Sequence, residues 1–269
     1  MIRSLPRSIP PAGAILVLAA AVSRGDAQRP ASTVDSAGVR IVTSDPRGSD
    51  TYCTLSDEPT LRLGVVEGEE PYMFYWVRGA NRLSDGSVAV LNNGSGEIRI
   101  FGADGRHVRS MGGKGEGPGE FRIGRYIWVL PGDTLWVGDY RPWRYHVYAA
   151  SGKHVRTVDT KPQYFNASVG GGVLDDGTSV NVRILYEQRE PNFRVPEPWF
   201  AEAHAADGTL VEELARLEAE RNGTWDGAGV RLSVLFDPRP SVHARGTTIA
   251  IATAREPEVR LLDEQRRLR

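Results

Sequence analysis

Apolar and polar residues alternate along most of this chain in short runs of about five, separated by Gly, Asp, Asn and Pro. Alternation of period two, rich in aromatic and β-branched residues, predicts strands with one buried face rather than helices. In the middle of the chain the pattern gives strands at Tyr126–Leu130, Thr134–Gly138, Tyr145–Ala149 and His154–Val158. Turns fall at Pro131-Gly132-Asp133 and Ala150-Ser151-Gly152-Lys153, where Gly and Asp supply the positive φ that tight hairpins need. A matching set precedes it, at Val77–Leu83, Ser87–Leu91, Glu97–Phe101 and His107–Met111. The two sets superpose without a gap at a constant offset of 47, which lays Pro71 on Pro118, Phe74 on Phe121, Val90 on Val137, Phe101 on Tyr148 and Gly105 on Gly152. A fixed offset of this size marks stacked or radially arranged units, because one unit cannot bury its apolar face alone. Four antiparallel strands per unit predict propeller blades.

A third unit is looser: Val173-Leu174, Thr178–Ile184, Phe200–Ala205 and Leu210–Leu214, with a Pro-rich insert at Tyr186–Pro198. Its last strand opens the string LVEELARLEAER, whose Glu and Arg also fall at helical spacing, so a strand running into a short helix or loop is expected over Leu210–Arg221. A fourth unit begins near Ser241 and carries Thr248–Ala252 and Glu258–Leu262. From Gly64 onward there are about 4.4 units. The expectation is an all-β fold, a β-propeller of four-stranded antiparallel blades, with about four blades plus an N-terminal strand at Val39–Thr43. Open sheet edges in such a fold favour self-association.

The amino terminus reads as an export signal over residues 1–27: Arg3 and Arg7, an apolar run from Ala12 to Val22, then small residues up to Ala27. Eleven apolar residues are too few to span a bilayer, so no membrane span is expected after cleavage. Residues 28–37 are polar and expected to be a disordered linker before a propeller domain at 38–269. The implied location is the periplasm or the exterior, and the excess of Arg over Lys, which stands only at 114, 153 and 161, suits a GC-rich bacterial genome. A net charge of −1 with mixed signs gives no footprint for nucleic acid. The single cysteine, Cys53, leaves no internal disulfide to form.

The string GGKGEGPGEF at Gly112–Phe121, followed by a strand, a Gly-Asp turn and TLWVGD…RYHVYAASGKHVRTV, resembles the exported bacterial six-bladed propellers with a GxGPGEF loop, which are NHL-repeat-like and TolB-like. That resemblance implies a six-bladed, TolB-like propeller with an unassigned role, often inferred to be binding, and six blades at this period would take roughly 280 residues. The chain is then incomplete by about two blades, through truncation, which is the favoured reading, or it closes with fewer blades or assembles with another copy, and Val39–Thr43 would be the strand that completes the last blade. The reading taken is a binding or scaffold module for a protein, peptide or glycan.

In a propeller, the loops that join successive blades share a face with those between second and third strands. Asn92, Asn93, Lys114, Glu116, Arg122, Arg125, Asp139, Arg141, Trp143 and Arg144 thereby form the candidate ligand-binding rim, with both charge signs and an aromatic. The bland reading of the same loop is that its glycines permit a tight crossover, Glu120 caps or pairs with an Arg, and Phe121 packs between blades. No catalytic residue is identifiable, since neither a G-x-S-x-G elbow nor a base near Cys53 is present. The five histidines lack metal-ligand spacing, so no cofactor or metal is expected. The rival reading is a metal-dependent hydrolase or lyase of the propeller-lactonase type, using calcium. Asp85, Asp133 and Asp176 recur at turns, and turn chemistry accounts for them.

Overall fold

A computed structural model of the protein describes residues 32–36, 39–43, 56–163, 170–184, 194, 196–224, 231–253, 255–263 and 265–268. The segment expected to be an export signal, residues 1–27, and Cys53 lie outside the described residues. Two compact units are present, Met1–Pro59 and Thr60–Arg269.

In the first unit, β1 (Ser32–Ser36) and β2 (Val39–Thr43) form an antiparallel hairpin in register from Ser32↔Thr43 to Ser36↔Val39. Ser32–Ser36 lies inside the stretch expected to be a linker. The partner of β2 is β1, not the last blade, because closing a two-residue loop costs far less entropy than pairing across the chain.

The second unit is all-β, built from antiparallel sheets laid out as a partial β-propeller. Its first blade holds β3 (Val77–Arg82), β4 (Val88–Asn92), β5 (Glu97–Phe101) and β6 (His107–Gly112), hydrogen-bonded in that order. The second holds β7 (Gly124–Leu130), β8 (Thr134–Asp139), β9 (Arg144–Tyr148) and β10 (His154–Asp159), again in sequence. These are the expected strands, shifted by at most two residues at their ends. Their inner members run side by side: the Asn81 side-chain amide donates to the Ile127 carbonyl at 3.0 Å.

The third and fourth units are not separate blades. β11 (Gly170–Val173), β12 (Ser179–Ile184), β13 (Pro196–His204), β14 (Leu210–Thr224) and β15 (Arg231–Ser233) join β16 (Ser241–Arg245), β17 (Thr248–Ala252) and β18 (Val259–Leu262) in one eight-stranded sheet. The seam is a parallel pair, Gly172↔Ala244, between two strands that each begin a unit. Over Leu210–Arg221 the expected helix or loop is instead one continuous strand. Ladders to β13 and β15 claim its backbone, and along it Leu217 and Ala219 are buried while Arg216 and Glu218 are exposed. Alternation of period two outweighs the charge spacing.

The core lies between sheets. Leu91, Ile98 and Ile100 of the first blade pack with Phe121, Ile127 and Val137, while Trp136, Trp143 and Tyr145 of the second pack with Val173. One turn contact recurs three times, twice between blades and once against the segment that precedes the first blade. The glycine of each outer hairpin turn, Gly105, Gly152 and Gly208, has φ of +82°, +88° and +88° and lies against the segment before it. A Cβ there would meet Leu61, Arg109 and the Asp159 carbonyl respectively. The backbone angle favours glycine at all three, and at Gly208 the approach to the Asp159 carbonyl excludes a Cβ outright.

Candidate functional site

The loop end of the first two blades is organised by one polar position. Asn92 closes β4 and Asp139 closes β8, at the offset of 47, and both are buried. Asn92 Oδ1 accepts the Tyr75 backbone N–H at 2.9 Å. Asp139 Oδ1 accepts those of Arg122 and Ile123 at 3.1 and 2.9 Å. Each side chain thus fastens the segment that enters its own blade. In the third unit Asn181 stands opposite Gly170, as Asn92 stands opposite Val77 and Asp139 opposite Gly124. There it turns to its neighbour, and its Oδ1 accepts Trp143 Nε1–H at 2.6 Å and the Tyr145 hydroxyl at 2.5 Å.

Asp139 also receives Arg144 Nε at 3.1 Å, and His146 Nε2 lies 3.6 Å from the same oxygen. Burial pushes its carboxyl up, but His146, the Ile123 N–H, Arg144 and the Arg122 N–H together hold it below the ordinary 3.8. The residue one repeat before His146 is Arg99. Its guanidinium is buried and donates to the carbonyls of Glu70, Pro71 and Met73 at 2.9, 3.0 and 2.9 Å, and it pairs with the Glu70 carboxylate. Arg99 lies over Phe74 and His146 against Phe121, so two chemistries hold the same joint in successive blades.

Of the ten expected rim residues, Asn92, Asp139, Trp143 and Arg144 are engaged internally, and Trp143 is wholly buried rather than presented on the surface. Asn93 is buried too, with no partner for its Oδ1. Lys114, Glu116, Arg122 and Arg141 are exposed, Glu116 pairing with Arg122 at 3.2 Å. Arg125 is half-buried, its guanidinium 5.2 Å from the Tyr140 ring centre. The glycine loop is architectural: Glu120 accepts the Gly117 N–H at 3.0 Å, Phe121 is buried, and the Tyr148 hydroxyl donates to the Gly119 carbonyl at 2.6 Å. Sequence reasoning missed Trp76 and Arg78, stacked at 4.3 Å. The signal was available, because Arg78 lies one repeat before Arg125.

Turn chemistry holds Asp85 and Asp176, which accept the N–H groups of Ser87 and Thr178 at 2.9 and 2.8 Å, while Asp133 reaches back to Ser84 at 2.9 Å. Among the described residues no group of three or more His, Cys, Asp or Glu is placed to hold a metal, and no helix is long and apolar enough to cross a membrane.

The histidines give this region a pH dependence. Burial lowers His204, whose Nδ1 lies 3.0 Å from the Asn181 amide. Burial and then the neighbouring His146 charge lower His154. A histidine with a depressed folded pKa binds fewer protons than the unfolded chain just below 6.5, so stability is present above that pH and falls as pH drops below it. Asp139 acts the same way lower down, losing its contribution as pH falls below 3.8 and through its folded value. The melting temperature is expected to be lower at pH 5 than at pH 8, and His204→Gln is expected to flatten that slope. An unchanged slope in the variant would remove His204 from the effect.

No protein-family model matches the chain, and no curated protein matches it in sequence. Solved structures do match. A protein of Bacteroides fragilis NCTC 9343 inferred to be exported aligns at 12% identity and a TM-score of 0.48, covering 77% of this chain and 52% of that one. A streptogramin B lyase aligns at 12% and 0.38, covering 72% and 53%. An inactive virginiamycin B lyase of Staphylococcus aureus, bound to quinupristin, aligns at 11% and 0.36, covering 66% and 63%. The chain spans about half the length of the first two of these structures.

Proposed function

We propose that this chain is an exported recognition or scaffold module of the six-bladed, NHL- and TolB-like kind, which presents the loop end of its first two blades to a polar partner: a protein, a peptide or a glycan. The observation that carries the reading is a division of labour at that end. Buried Asn92 and Asp139 fix the entering segments, and on those segments and loops stand exposed Tyr75, Trp76, Lys114, Arg122 and Arg141. Half-exposed aromatic rings and cations on a rigid frame supply contact area at little cost in conformational entropy.

The test is a paired peptide and glycan array probed with the secreted protein and with a Trp76→Ala/Arg141→Ala variant. Specific binding that falls at least tenfold in the variant, with an unchanged melting temperature, supports the reading. Binding that survives in the variant overturns the placement of the surface. Thermal stabilisation by calcium would point instead to a metal-dependent hydrolase or lyase, since a ligand that binds only the folded state raises its melting temperature.

A further inference from the structure

Each of the first three inner strands carries a β-bulge at its loop end. In the first blade the ladder jumps from Val77↔Asn92 to Gly79↔Leu91, in the second from Gly124↔Asp139 to Tyr126↔Gly138, and in the third from Gly170↔Asn181 to Gly172↔Val180. The residues extruded are Arg78, Arg125 and Gly171. A bulge redirects the side chain it expels, and a bulge repeated at the same register is a feature of the unit rather than an accident of one strand. In the third unit a Cβ at Gly171 would stand 2.7 Å from the Val180 carbonyl, so that position carries no side chain and the cationic pair belongs to the first two blades.

Both arginines lie within cation–π distance of aromatic rings. Arg78 lies 4.3 Å from the Trp76 ring centre, and Arg125 lies 5.2 Å from Tyr140 and 6.0 Å from Tyr126. A guanidinium held beside a ring by the cation–π attraction keeps its N–H donors for other partners, and a guanidinium grips an oxyanion with two parallel hydrogen bonds. Neither arginine forms an ion pair among the described residues, and Arg78 Nε is buried without a partner. The carboxylates of this end are engaged elsewhere, Asp139 with Arg144 and Glu116 with Arg122. The inner strands that bear the two arginines are neighbours, joined by the Asn81–Ile127 hydrogen bond.

From this geometry we infer that Arg78 and Arg125 form a two-guanidinium seat for an oxyanion: a carboxylate, sulfate or phosphate group carried by the ligand of the loop end. The inference rests on that end being a recognition surface and names the chemistry it selects. Trp76, which supports Arg78 and is exposed, offers its remaining ring edge to the body of the same ligand.

The experiment uses the full secreted protein and titrates sodium sulfate, phosphate and succinate at constant ionic strength, with chloride as the balance, reading melting temperature and calorimetric affinity. At least one multivalent oxyanion is expected to raise the melting temperature over chloride, and the preferred one names the group. Arg78→Gln and Arg125→Gln are each expected to weaken that binding about tenfold, and the double variant to abolish the response. Arg82→Gln, on the same inner strand but at its other end, is expected to leave it unchanged. Should either Gln variant fold poorly, Arg→Lys keeps the charge and loses the fork, and an intermediate affinity supports the seat. No response from the unmodified protein, or an equal response from the double variant, overturns it. Array binding that persists in Arg78→Gln/Arg125→Gln while no oxyanion responds overturns the seat and leaves the recognition surface standing.

Discussion

Replacing Asp139 by alanine is expected to lower the stability of the second unit by about 3–5 kcal/mol, the range for removing one partner of a buried charge pair. The carboxylate is wholly buried and accepts two backbone N–H groups and Arg144 Nε, with the His146 imidazole 3.6 Å away. Alanine orphans those three donors, and the two amides belong to the crossover that carries Phe121 into the core between blades. Asp139→Asn separates the terms. Asn92 performs the same task one repeat earlier as a neutral amide, so asparagine at 139 is expected to keep the backbone acceptance. It forfeits the charge against Arg144, at a cost of about 1–2 kcal/mol. Denaturant unfolding with an unchanged slope checks both variants. If Asp139→Ala instead retained its midpoint and lost array binding, the residue would face a ligand and not the crossover.

That contrast shows what one sequence can and cannot carry. The offset of 47 and the alternation place the eight strands of the first two blades nearly to the residue, because both signals are local: side-chain period and turn chemistry. Glu97–Phe101 and Thr248–Ala252 agree with the observed limits at both ends. The seam between β11 and β16 has no local signature, since a parallel pair joined through 71 intervening residues is decided by which edges meet. The same holds for the site. Asp139, Trp143 and Arg144 have the residue types of a binding rim, and only the arrival of Asn181 from the third unit and of the Arg122–Ile123 amides turns them inward. The bulges at Arg78 and Arg125 were legible in part, as a shared arginine at the repeat offset. A bulge itself is a mismatch between two strands and cannot be read from either alone.

The second large effect is expected at Asn181, where Asn181→Ala should lower stability by about 3 kcal/mol, or roughly 6–12 °C in melting temperature. Its Oδ1 is the acceptor for two fully buried donors of the second blade, Trp143 Nε1–H and the Tyr145 hydroxyl, and its amide faces Ser179 and His204. Truncation removes the acceptor of two buried donors at once, so the loss exceeds that of a single hydrogen bond. A double-mutant cycle makes the argument quantitative. In a Trp143→Phe background one donor is already gone, and the further cost of Asn181→Ala should shrink by about 1–2 kcal/mol. Full additivity would show that the Asn181–Trp143 bond contributes nothing to stability. Asn181→Asp adds a sign test, because it keeps the acceptor and sets a carboxylate 3.0 Å from the His204 ring in place of the amide. An anion there favours the imidazolium, so the folded pKa of His204 should rise, and the stability lost on acidification below 6.5 in the unmodified protein should be reduced or reversed in this variant.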